Sequence, residues 1–370
     1  MRSYCNSGFQ TSLIFFWAVA FLGVAIWSGT SEAAENAGED SDFDEILDLN
    51  LEELLEIELD SMAVTGIHHT HERGEWMVGY SFMYMNMHGN RDGSRNLSPS
   101  EILQPAGPYM VSPLSMDMEM HMFNVMYGVT DEFTAMVMLP YIRKSMKHLT
   151  MAGARFTTRS RGIGDVSLMG LYDLYESETH RLIGSLGVSF PTGSVDESDF
   201  IPDPSMPGSD ILARLPYPMQ LGSGTFDLLP GMTYIGQMPG WQWGVHGDGT
   251  VRLGENKHDY RLGNAYEVSG WGARKITPWA SGSIRLAWDQ WMNIHGADPV
   301  LNPMMVPTAD PNLRAGRRLM VMLGVNVFAE QGRLKGLRGT IEGGIPVYQH
   351  LDGPQLETDW SLSFTLEWNY

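Results

Sequence analysis

Thiols are almost absent from this chain: its one cysteine, Cys5, lies ahead of an apolar stretch at residues 13–27 near the N-terminus. Arg2, that stretch and the small residues Ser31, Ala33 and Ala34 spell a secretory signal peptide over 1–34. A chain cut after Ala34 has no thiol, which excludes disulfides, thiolate zinc sites and cysteine nucleophiles. No later apolar run is long enough for a membrane-spanning helix. Positive charge is also scarce, with 24 Lys and Arg against 44 Asp and Glu. The net charge of −20 is unchanged by cleavage, which removes Arg2 and Glu32, and it argues against nucleic acid as a partner. A catalytic constellation is missing too. His295 and His350 have no neighbouring nucleophile, and Asp117 with Glu119 resembles an acid pair only by residue type. The expectation is a protein that is not an enzyme and needs no cofactor.

Residues 35–75 differ from the rest. Phe43, Ile46, Leu47, Leu51, Leu54 and Leu55 recur at helical spacing in an acidic context, so a short amphipathic helix is expected over 43–60. It is read equally as a solvated segment, a plug, or a site for a periplasmic partner. The connector after it carries His68, His69 and His71, three imidazoles that suit a transition metal by type or meet by accident. The acidic loop at 194–210 lacks the ordered ligands and glycine of a calcium-binding loop.

From Trp76 onward the period is two almost everywhere. Twelve strands are expected, at 76–88, 116–129, 133–141, 164–176, 181–192, 223–235, 241–253, 265–277, 279–289, 317–329, 338–349 and 358–370. Their connections alternate. Residues 89–115, 142–163, 193–222, 254–264 and 290–316 are long, whereas 130–132, 177–180, 236–240 and the Pro278 corner are tight. An all-β, antiparallel up-and-down barrel over 76–370, set in the lipid of a bacterial outer membrane, predicts that alternation. The final strand puts Trp360, Leu362, Phe364, Leu366, Trp368 and Tyr370 on one face and polar residues on the other.

Of 26 methionines, fourteen fall between Met77 and Met151, many at every second position. Trp76, Val78, Tyr80, Phe82 and Tyr84 form a lipid-type face, which leaves Met83, Met85 and Met87 to the lumen. The same parity turns Met116, Met118, Met120, Met122 and Met126 inward, then Met136 and Met138, then Met320 and Met322. Elsewhere the lumen face carries His246, Asp248, Arg285 and Asp289. A methionine wall is open to three readings: flexible packing, an apolar solute path, or a soft-metal site for Cu(I) or Ag(I). For the last, the expected set is Met118, Met122, Met126 and Met138, with Met136 or Met138 across from Met122 or Met126.

Gly162, Gly164 and Asp165, then Pro191-Thr192-Gly193, then the run Gly222 to Asp227 make a pattern. It resembles the transporter-type outer-membrane barrels named after a MetA pathway of phenol degradation, in a methionine-rich subgroup. The resemblance spans about 155–370 and implies uptake of aromatic or other hydrophobic compounds. The expected function is thus a channel for small solutes. A soft-metal barrel and a non-transporting interaction barrel are the alternatives.

Overall fold

The computed structural model describes residues 69–203, 206, 208–329 and 332–369. The signal peptide, the helix expected over 43–60 and His68 lie outside these residues.

Strands β1 (Trp76–Gly93), β2 (Arg95–Leu97), β3 (Val111–Gly128), β4 (Phe133–Thr150), β5 (Arg155–Ile163), β6 (Val166–Glu176) and β7 (His180–Phe190) come first. A small hairpin, β8 (Ser198–Pro202) with β9 (Asp210–Arg214), then precedes β10 (Phe226–Met238) and β11 (Trp241–Leu253). After these come β12 (Tyr260–Arg261), β13 (Ala265–Thr277), β14 (Ala280–Trp291), β15 (His295–Gly296), β16 (Gly316–Phe328) and β17 (Leu337–Asn369). The sheet runs β1-β3-β4-β6-β7-β10-β11-β13-β14-β16-β17 and closes through β17 with β1. Every pairing in it is antiparallel.

Closure settles the number of spans. Nine antiparallel steps separate β1 from β16, so these two run in opposite directions. The 33-residue β17 is antiparallel to both, pairing β16 through 338–351 and β1 through 351–369. It therefore reverses, near Gly353, whose φ of +83° is natural for a residue without Cβ. Across the fold, Gln349 Nε2 donates to the Thr358 carbonyl and the Thr358 N–H to Gln349 Oε1, both at 2.9 Å. Two arms of β17 and ten other spans make twelve.

β5 and β6 together form one span against β4, interrupted at Gly164 and Asp165. Residues 142–163, expected as a loop, are in fact the tall hairpin β4–β5. Arg143, Lys144 and Lys147 break the apolar alternation there, yet inward and outward parity persists. Likewise 350–357, expected as a connection, is extended chain within β17.

The outer face explains why the barrel sits in lipid. Val78, Val137, Leu186, Val245, Leu286 and Leu323 project outward and are exposed. Exposed Trp76, Tyr172, Trp241, Trp279 and Trp368 ring the short-turn end of this belt, and Phe190, Phe226, Tyr266, Tyr348 and Trp360 the long-loop end. An apolar band between aromatic girdles is the exterior of an outer-membrane barrel, and the short turns mark its periplasmic end.

Candidate functional site

At the extracellular end the loops fold inward. Leu215 and Met219 are buried against Met116 and Met146, with Met87, Met118 and Leu356 beside them. Lys144, an inward residue of β4, fastens this cap. Its ammonium donates to the Pro218 carbonyl at 2.9 Å and to the Gln220 carbonyl at 2.6 Å, while Ser160 Oγ donates to the Met219 carbonyl at 2.7 Å. Farther out, Asp196 joins neighbouring loops, bonding Lys257 and, at 2.6 Å, His258 Nε2. The bond from Lys257, then that from His258, holds the Asp196 carboxyl below the usual carboxylate range.

Below the cap lies a vestibule of about 590 Å³, bordered by Lys144, Tyr217, Leu221, Arg252 and Arg314. Leu229 borders both it and a second cavity of about 400 Å³ in mid-barrel. One side of this second cavity is thioether, with Met83, Met120, Met122, Met138 and Met169 on β1, β3, β4 and β6. The other is charged, with His246, Asp248, Glu267, Arg285, Glu342 and Glu367. Arg285 forks onto Glu342 at 3.1 and 2.5 Å and lies 3.6 Å from Glu267. His246 Nδ1 is 2.7 Å from Thr233 Oγ1, and its Nε2 is 3.3 Å from Asp248. Arg318 of β16 joins β14, β17 and β1. It binds Asp289 at 2.8 Å and Thr358 Oγ1 at 2.8 Å and points one N–H at the Met85 sulfur, 3.9 Å away. Met322 lines the cavity and Met320 is buried nearby.

Toward the periplasm the cavity ends in a constriction. Met77, Met126, Met136, Leu171, Ile183, Ile235 and Trp271, from seven spans, bury one another, with Met138 and Met169 against them. Beneath it, Thr70 and His71 are buried in the mouth of the barrel. The His71 N–H donates to Thr134 Oγ1 at 2.8 Å, Thr70 bonds Asp173, and the rings of His69 and His71 are 4.7 Å apart. The connector thus meets inward residues of β4, through His71, and of β6, through Thr70.

Register decides which sulfurs meet. Met126 faces Met136 across β3 and β4, as the tight turn between them requires. Met118, Met122 and Met138, however, face Lys144, Pro140 and Asn124. The four methionines singled out from sequence are therefore spread over four levels. Glu267, Glu342, Met77, Met169 and Trp271 were not singled out. Their only signal is inward parity, and an inward tryptophan runs against the aromatic-outward habit of the other strands.

The three glycine motifs converge at the interruption between β5 and β6. Asp165 accepts the Gly193 N–H at 2.9 Å and the Ser223 N–H at 2.7 Å, and Thr192 Oγ1 donates to the Gly164 carbonyl at 2.9 Å. A Cβ on Gly193 would come within 2.7 Å of Gly222 Cα, so the backbones meet only as glycines. The motifs fix the root of the cap to the wall.

These features define the class: an outer-membrane antiparallel barrel with a capped, constricted lumen. No family model matches the chain, and no curated protein does. Among solved structures, an outer membrane channel from Pseudomonas putida F1 is similar over 83% of this chain and 100% of its own, at 13% identity and a TM-score of 0.57. The toluene transporter TodX of P. putida aligns over 87% and 92% of the two chains, at 10% identity and a TM-score of 0.41. A FadL homologue of Pseudomonas aeruginosa aligns over 80% and 89%, at 11% and 0.36. At these identities the likeness is one of fold.

Proposed function

We propose that the protein is a gated outer-membrane channel for small solutes with apolar bodies. The observation that carries this reading is the mid-barrel cavity of about 400 Å³, walled on one side by thioethers and placed between cap and constriction. It lies toward the small end of ligand sites, which run about 300–1,000 Å³. Its apolar side offers dispersion contacts to rings and short chains, and its charged side offers fixed polar groups for orientation. Vestibule, cavity and constriction lie in series along the barrel, so a solute entering by the loops meets the apolar gate last. The similar P. putida protein is a channel by its description. Hydrophobic compounds are the favoured cargo, because charged solutes lose hydration among the methionines and recover little.

The test is planar-bilayer conductance of the full chain beside a variant with Met126→Ala, Met136→Ala and Trp271→Ala. The parent is expected to open rarely and the variant to conduct more, with partition of an apolar solute into proteoliposomes rising in parallel. A folded variant that neither conducts nor passes solute refutes the channel and leaves an interaction barrel.

A further inference from the structure

We propose that Met77, Met126, Met136 and Met169 form a binding site for a soft monovalent cation, Cu(I) or Ag(I), in the constriction. Met77 pairs with Met126, Met126 with Met136, and Met136 with Met169, so four adjacent spans present a methionine at one level. Met77, Met126 and Met136 are 0–1% exposed, and Met169 lies against them. Other levels reach fewer spans: Met87, Met116 and Met146 pair across three and stop at Thr158, Met120 faces Ile142, and Met118 faces Lys144.

The chemistry of the row follows from its donors. Cross-strand neighbours have Cβ atoms about 5 Å apart, and a methionine has enough rotatable bonds to turn its sulfur toward a point between strands. Thioethers are soft and neutral, suit Cu(I) and Ag(I), and need not lose a proton to bind. Hard cations such as Mg²⁺ and Ca²⁺ need oxygen ligands, which the row does not supply. An ion that loses its water among Leu171, Ile183 and Ile235 is compensated only if sulfur bonds replace that water.

The surroundings favour a cation on both sides. Above the row, the cavity carries Asp248, Glu267, Glu342 and Glu367 with Arg285 as the arginine at its wall. Below it, His71 is bonded through its backbone to Thr134, the inward neighbour of Met136, and its ring stands beside His69. Imidazole is the next softest donor among the described residues, placed one step toward the periplasm. The inference goes beyond the channel reading and is independent of conductance.

The experiment titrates the detergent-solubilised full chain with Ag(I) in chloride-free buffer, by calorimetry. It compares the parent with Met77→Leu, Met126→Leu, Met136→Leu and Met169→Leu combined. A control combines Met83→Leu, Met85→Leu, Met120→Leu and Met122→Leu, removing as many sulfurs elsewhere in the lumen. Leucine keeps volume and apolar character, so both variants are expected to retain heat-modifiable gel mobility. The row variant is expected to lose affinity at least tenfold and the control to keep it. Equal binding by parent and row variant, equal loss in the control, or no binding by the parent overturns the site. Should the row variant fail to fold, X-ray absorption of the Ag(I)-loaded parent decides. A shell of several sulfurs supports the site, and a shell of nitrogen and oxygen alone overturns it.

Discussion

At the scale of single residues, the lumen shows how expensive groups are held together. Arg285 and Glu342 are buried, and each is the other's principal partner. Removing one member of such a pair leaves the other charged and desolvated, at a cost of about 3–5 kcal/mol. Arg285→Leu is expected to lower the thermal midpoint of the detergent-solubilised barrel clearly, with Glu267 adding to the uncompensated charge. Arg285→Leu combined with Glu342→Met recovers most of that loss, since an apolar pair replaces the ionic one. Differential scanning calorimetry of the single and double variants checks this; a double variant no more stable than the single refutes the pairwise account.

At the scale of elements, the β4–β5 hairpin works as a post for the cap. Its inward residues Lys144 and Ser160 hold the carbonyls of 218–220. Lys144→Met keeps the length of the side chain but removes both charge-assisted bonds, on the order of 3 kcal/mol in total. The barrel itself does not need them. The expected result is an intact barrel with a looser cap, read as faster proteolysis near Leu215 to Leu221 and more frequent openings in a bilayer. Unchanged proteolysis would show that the apolar contacts of Leu215 and Met219 suffice.

For the whole molecule, closure is the condition of existence. The second arm of β17 pairs β1 from Met77 to Gly93, so without it two strand edges face lipid with unpaired backbone groups. Each such group costs several kcal/mol in hydrocarbon. A chain truncated after residue 354 is expected to lose heat-modifiable mobility and to aggregate on extraction. Recovery of a folded, monomeric barrel from that truncation would show that β17 does not close the wall.

Much of this was legible in the amino-acid order. A two-residue period tells which side of each strand meets lipid, because lipid demands apolar atoms on every second residue and the lumen does not. It placed the methionines inward, gave twelve spans, and marked the short turns as one end. It misread 142–163, where lysines and arginines above the lipid belt look like loop residues though the chain remains paired. Alternation carries no information on register. That Met77, Met126, Met136 and Met169 share one level, while Met118 faces Lys144, follows from hydrogen-bond pairing across spans. The folding of Leu215 and Met219 into the lumen, and the meeting of Asp165 with Gly193 and Ser223, also depend on contacts between distant residues. Composition and period decide what each strand can face; only closure of the barrel decides what it does face.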